Sequence, residues 1–324
     1  IKKACCKIMK NYVGIDLGGT NIAVGIVNEK YEIIAGSKLK TNVPRPAEAI
    51  CDDMAKAVEM ALADAKLRIS DVEWVGIGTP GTVNPVTGVV GFANNLNFHN
   101  VPLKTMMQER LKTRVFVEND ANAAAYGEAT AGAAKGVSNM IAITLGTGIG
   151  SGVLINGKML TGVNGAGGEL GHTGVVFGGR HCSCGRDGCI EAYASATGLI
   201  TTTKEEMQKH PESKLWQCAK TLDEVSGRTA FDAMREGDEV AEHIVAQYAS
   251  YLAYALVNYI NIFAPSLIVI GGGISHEGEL FLEMLRADIK AQIYGGEVHT
   301  ELACAKLGND AGIIGAAFLG NLQA

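Results

Sequence analysis

One pattern occurs twice in this chain, and it fixes the architecture more tightly than any other feature. Gly14 to Ile34 reads GIDLGGTNIAVGIVNEKYEII, an apolar strand, a glycine turn, a second strand, a polar turn and a third strand. Ala142 to Leu160, AITLGTGIGSGVLINGKML, repeats it. Ile15, Leu17 and Gly18 align with Ile143, Leu145 and Gly146, and, with one inserted residue in the first copy before Gly25 and one in the second before Lys158, Gly25 and Lys30 align with Gly152 and Lys158. Duplication of a hairpin unit demands two similar α/β halves.

Each copy runs on into helix-patterned sequence and a further strand. The first is followed by a helix from Pro46 to about Lys66, the strand VEWVGIG, a helix near Leu103 to Lys112 and the strand RVFVE. The second is followed by helical stretches from about Ala192 to Lys209 and from Glu239 to Phe263, the strand SLIVIGG and a helix from Gly278 to Ile293. At roughly 150 residues per domain, 324 residues also imply two domains. The expected division is residues 10–120, joined by the C-terminal helix 309–324, against a larger domain of residues 121–308.

Three glycine clusters close apolar strands: Gly18, Gly19 and Thr20 after Asp16; Gly146, Thr147 and Gly148; and Gly271, Gly272 and Gly273. Such turns bring backbone N–H groups close to phosphate oxygens, and Asp16 is placed to hold a hydrated Mg²⁺. The alternative for any single cluster is a tight hairpin turn. Three together point to one nucleotide in a cleft between domains. No G-x-x-x-x-G-K-[ST] occurs, which excludes a P-loop. The literal G-x-G-x-x-G at Gly76, Gly78 and Gly81 runs into TVNPVTGVVG, where no helix can open, and is read as chance.

The stretch HCSCGRDGCIE, His181 to Glu191, holds Cys182, Cys184 and Cys189. Three thiolates and one imidazole form a closed Cys₃His set for structural Zn²⁺. His181 and His172 compete for the fourth place; His181, next to Cys182, would have to fold straight back. A redox-active thiol pair is the alternative. Asp120, in VFVEND, stands where a strand ends and a helix begins, a place for a catalytic carboxylate or for an ordinary N-cap.

The net charge of −6 and the lack of a basic run leave no electrostatic footprint for nucleic acid or a membrane surface. Eight scattered or clustered cysteines suit a reducing compartment, and the start IKKACCKIMKNYVGID lacks an apolar run of signal-peptide length, so a cytoplasmic protein is expected. The most apolar stretch, Tyr251 to Ile270, is interrupted by Asn258, Asn261 and Pro265 and reads as a buried helix passing into a strand.

DLGGTN from Asp16 to Asn21, the block from Leu145 through GGELGH to His172, and CSCGRDGCIE from Cys182 to Glu191 together resemble the ROK family of bacterial sugar kinases and repressors, over nearly the whole chain from about Tyr12. The resemblance implies an actin-like, RNase H-like ATPase fold of two halves. It implies transfer of the γ-phosphate of MgATP to a hexose, with glucose the expected acceptor and N-acetylmannosamine, N-acetylglucosamine, fructose and mannose the alternatives. It makes Asp120 the catalytic base and adds Asn21 to the nucleotide loop. Gly81, Asn94 or Asn95, Asn119, Glu169, His172 and Glu191 become the sugar residues, and His172 the fourth metal ligand. A homo-oligomer is implied as well. Repressors of the family carry a helix-turn-helix segment ahead of DxGGT; fifteen residues precede Asp16, so DNA binding is not expected.

Overall fold

The computed structural model describes residues 9–323, so Cys5 and Cys6 lie outside the described residues. In chain order the first half consists of β1 (Asn11–Leu17), β2 (Asn21–Asn28), β3 (Ile33–Lys40), α1 (Ala47–Asp64), β4 (Val72–Thr79), β5 (Thr82–Val83), β6 (Val90–Ala93), β7 (Phe98–Val101), α2 (Leu103–Leu111), β8 (Val115–Asn119) and α3 (Asp120–Thr130). There follow β9 (Met140–Leu145), β10 (Ile149–Ile155), β11 (Lys158–Met159), α4 (Glu191–Ala194), α5 (Ala196–Lys209), α6 (Leu215–Cys218), α7 (Thr229–Arg235) and α8 (Glu239–Phe263). The chain ends with β12 (Leu267–Gly272), α9 (Glu279–Gln292), β13 (Glu301–Cys304), α10 (Ala311–Ala317) and α11 (Leu319–Gln323).

The duplication is written into the sheets. One has the order β3-β2-β1-β4-β8 and the other β11-β10-β9-β12-β13. In both, the first strand of the hairpin unit runs parallel to the next sheet strand along the chain, β1 with β4 and β9 with β12. The third strand differs: β3 has eight residues, whereas β11 has two, after a turn at Asn156 and Gly157. A separate three-stranded sheet, β5-β6-β7, fills the connection after β4, where the sequence patterns give no strand.

The described residues group into two compact units. One comprises residues 9–136, 152–168 and 309–323, and the other residues 137–151 and 169–308. The first division falls at Gly136 rather than at residue 120, because α3 packs on α10 and β4 and stays with the first sheet.

Within the first unit, α1 buries Ile50, Met54, Ala57, Val58 and Ala61, a stripe at helical spacing, against Val13, Ile15, Leu17, Val24 and Ile77 of the sheet. Each large aliphatic side chain so buried contributes about 1.5–3 kcal/mol. The register places a row of glycines across four strands: Gly36 beside Gly25, Gly25 beside Gly14, and Gly14 beside Gly76. That row admits α10. A Cβ on Gly14 would stand 1.9 Å from the Ile313 carbonyl oxygen, and one on Gly76 1.8 Å from that of Ala316. Gly315 and Gly127 do the same between α10 and α3, where a Cβ would fall 1.7 Å from Ala123 O and 2.3 Å from Ala311 O respectively. Gly76 and Gly78 of the apparent dinucleotide motif therefore serve packing, Gly78 letting Asp120 Cα come within 3.5 Å of where its own Cβ would be.

In the second unit α8 is capped by Asp238, whose carboxylate accepts the Ala241 N–H at 2.7 Å, and ends at Ala264 in left-handed conformation before Pro265. The expected helix from Ala192 is broken at Ser195, whose hydroxyl oxygen caps α5 by accepting from Gly198 N at 3.0 Å. No helix among the described residues is long and apolar enough to cross a membrane.

Candidate active site

The expected site residues fall into two sets, one on each unit. In the first unit they gather at the C-terminal ends of parallel strands, since β1 pairs Asp16 with Gly78 of β4, and β4 pairs Thr79 with Asn119 of β8. The loop after β1 is closed by Gly18 N donating to Asn21 O at 2.9 Å and by the Thr41 hydroxyl donating to Gly18 O at 2.6 Å. Gly19 packs on Asn95, the Cβ of which lies 3.4 Å from where a Gly19 Cβ would be. Asn94 and Asn95 open a short 3₁₀ turn, Asn94–Leu96, and both are exposed.

Asn119, not Asp120, caps α3. Its Oδ1 accepts from Ala121 N at 2.9 Å and Asn122 N at 3.1 Å, while its Nδ2 donates to Gly81 O at 3.1 Å. Asp120 is the first helical residue, with Oδ1 accepting from Ala121 N at 2.9 Å. Burial pushes the Asp120 carboxyl upward against the pull of the N–H groups of Ala121 and of its own backbone and of the Asn119 side chain. Burial, with the Asp120 charge adding to it, raises Asp16 to about 6. The two carboxylates are thus electrostatically linked. Glu118 behind them, 1% exposed, accepts from Asn119 N and from the side chains of Asn122 and Gln323, and burial raises it too.

In the second unit two glycine clusters become neighbours, because β12 pairs with β9 through Gly271↔Thr144 and Gly272↔Leu145. Gly272 has φ of 83°, and a Cβ there would stand 2.2 Å from Leu145 O. The Glu169–His172 segment lies on the hairpin: Leu170 N donates to the Ser151 hydroxyl oxygen at 2.9 Å, and a Cβ on Gly171 would meet Ile149 O at 2.3 Å. Tyr259 of α8 holds the same segment, donating to Leu170 O at 2.7 Å and sharing a hydrogen bond with the Thr173 hydroxyl at 2.7 Å.

His172, Cys182, Cys184 and Cys189 come together with all ligand atoms within 4.8 Å of one another, a set that can hold a metal ion. Cys182 Sγ is 3.6 Å from His172 Nδ1, and Cys184 Sγ is 3.6 Å from Cys189 Sγ. Tetrahedral zinc with bonds of about 2.3 Å to sulfur and about 2.1 Å to nitrogen separates its ligand atoms by about 3.6–3.8 Å. The spacing fits. His181 points elsewhere, its Nδ1 2.9 Å from Asp187 Oδ1. Gly188, at φ of 83°, turns the chain where a Cβ would meet Val176 O at 1.7 Å.

Glu191 follows at the start of α4. Its Oε2 accepts from Ile149 N at 2.9 Å and its Oε1 from the Ser183 hydroxyl at 3.0 Å. Ser183 stands inside the cysteine motif with no role read from it and Tyr259 lies outside every motif, so only the fold reveals their contacts.

The ROK family profile matches residues 12–322. A glucokinase of Thermotoga maritima is 40% identical over 94% of this chain and 95% of its own length. A solved ROK family glucokinase of Streptomyces griseus, in complex with glucose and AMPPNP, superposes with a TM-score of 0.81 at 38% identity, covering 95% of this chain and 98% of that one. A xylose repressor of Caldicellulosiruptor bescii is 30% identical over 95% of this chain and 77% of its own length. The two-domain, actin-like α/β ATPase fold is common to this chain and the ROK structures it superposes on.

Proposed function

The chain belongs to the ROK family, and we propose that it is an ATP-dependent hexose kinase that converts glucose to glucose 6-phosphate. The observation that carries this reading is the placement of Asp120 at the end of β8, electrostatically linked to Asp16 and with its helix cap supplied by Asn119. Phosphoryl transfer asks for positioning, charge stabilisation and a group that accepts the hydroxyl proton. Burial raises the proton affinity of Asp120, which suits it to take that proton as the sugar oxygen bonds to the γ-phosphorus and ADP departs.

Gly81, Asn94 or Asn95, Asn119, Glu169, His172 and Glu191 are assigned to the sugar hydroxyls. The loops Gly18–Asn21, Gly146–Gly148 and Gly271–Gly273 are assigned to the nucleotide. Asp16 holds the Mg²⁺ that accompanies ATP; when bound, that ion neutralises phosphate charge. The tetrahedral spacing supports zinc at His172, Cys182, Cys184 and Cys189, where four protein ligands leave no open position for chemistry. Its use is to fix the segments that carry Glu169 and Glu191.

Six free cysteines among the described residues agree with a cytoplasmic site of action. We also read the chain as a homo-oligomer. From Ile244 to Phe263, α8 has no charged residue, yet Gln247, Ser250, Tyr254, Asn258 and Ile262 are exposed along it, and Val175, Tyr251 and Gln292 form a groove beside them. A charge-free face is what a second copy meets without self-repulsion.

The test is product analysis after incubation with MgATP and each of glucose, mannose, fructose, N-acetylglucosamine and N-acetylmannosamine. Phosphate on the 6-hydroxyl of glucose, formed fastest of the series, is the expected result. Faster turnover of an N-acetylated or keto sugar would keep the kinase and change the acceptor. The likeness to a xylose repressor favours a second reading, a sugar sensor, which would bind sugar without consuming ATP.

A further inference from the structure

Glu191 is assigned above to the sugar, but its carboxylate is already engaged on both sides. Oε2 accepts the backbone N–H of Ile149, the first residue of β10 and the residue after the Gly146–Gly148 turn. Gly148 itself makes room for that carboxylate, since a Cβ there would stand 2.4 Å from Glu191 Oε2. Oε1 accepts from the Ser183 hydroxyl, and Cys182 Sγ lies 3.6 Å from the same oxygen. The chain following Glu191 touches the turn at its other end, where Ala196 N donates to Gly146 O at 2.9 Å. A sugar ligand alone needs no bond to the hairpin backbone and no glycine cleared for it.

We infer that Glu191 is a positioning residue for the nucleotide hairpin, and that Ser183 orients it. The inference rests on the nucleotide assignment of Gly146–Gly148 and adds a role to a residue which that reading gives to the sugar alone. One carboxylate ties the turn Gly146–Ile149 to the cysteine loop, so the backbone N–H groups of the turn are held in one arrangement before sugar arrives. Ser183, between two of the cysteines, is the serine that sets which oxygen faces Ile149. A hydrogen bond to a charged acceptor is among the stronger kinds, so deleting one end of it should be felt at the other.

The readout that separates this from sugar binding is nucleotide affinity measured without sugar. Calorimetric titration of the metal-loaded protein with MgADP should give about three- to tenfold weaker binding for Ser183→Ala. Ser183→Thr, which keeps the hydroxyl, should restore it. Glu191→Gln should weaken it by a similar factor, and combining Glu191→Gln with Ser183→Ala should add little, because both act through one contact. Metal content is measured alongside. Full sugar-free MgADP affinity in both single variants overturns the inference, as does a loss that follows metal content instead of the hydroxyl. Wild-type turnover of a hexose tests the kinase reading separately, so either can fail without the other.

Discussion

Asp120 and Asn119 divide two tasks that a single polar residue at a helix start would otherwise have to combine. Asn119 accepts from the N–H groups of Ala121 and Asn122, so the cap of α3 does not depend on Asp120, which shares the Ala121 N–H. Asp120→Asn should therefore fold and keep sugar affinity, while kcat falls about 10²- to 10⁴-fold; Asn119→Ala should cost about 1 kcal/mol of stability as well as activity. Urea titration alongside kinetics distinguishes them. Asp16 supplies a pH signature. Its carboxyl is raised to about 6, above its unfolded value, so the free folded protein binds a proton that the unfolded chain releases, and this group's contribution to stability falls as pH rises from about 4 to about 6. A cation prefers the carboxylate. Affinity for Mg²⁺-nucleotide should thus weaken as pH drops below about 6, by about tenfold one unit lower, and Asp16→Asn should flatten that dependence.

Among elements, α10 is the one whose packing depends most on what is missing from its neighbours. The row Gly14, Gly25 and Gly76 lets its backbone rest on the sheet, and Trp74 Nε1 donates to Ala317 O at 2.8 Å to hold it there. Gly76→Ala must push the helix away, and a loss of about 1–3 kcal/mol or more in urea unfolding is expected; an unchanged midpoint would refute that packing. The zinc proposed for His172, Cys182, Cys184 and Cys189 makes a matching prediction for the cysteine loop. Chelation should expose residues 181–191 to proteolysis while the first unit stays resistant, as limited digestion with and without chelator would reveal. Strand and helix periodicity made β1, β2, β4, β9, β12 and α8 legible, because apolar residues recur along each at strand or helix spacing. The β5-β6-β7 sheet was not legible, since its strands have two to four residues and sit among turn formers. The glycine row could not be read as a landing for α10, because it depends on register between strands and on a helix more than 200 residues away. The cysteine set and Asp120 were visible as motifs, whereas the Ser183–Glu191–Ile149 link depends on how the loops fold back.

At the scale of the whole molecule, two sheets of matching topology carry one glycine loop after β1 and another after β9, an arrangement inherited from the repeated hairpin. The charge-free face of α8 makes a second expectation at this scale. Tyr254→Lys, at an exposed position, should lower the sedimentation coefficient toward that of a 34.0 kDa monomer without loss of folding; an unchanged coefficient would place the association elsewhere. Whether Asp120 accepts a sugar proton during phosphoryl transfer from ATP is read from glucose-dependent ADP formation in the wild type and in Asp120→Asn, with glucose binding measured on both. Rapid turnover by the wild type, lost by at least 10²-fold in a variant that still binds glucose, is the predicted result. Equal turnover in the two proteins, or no glucose-dependent ADP from folded, metal-loaded wild type, would contradict it.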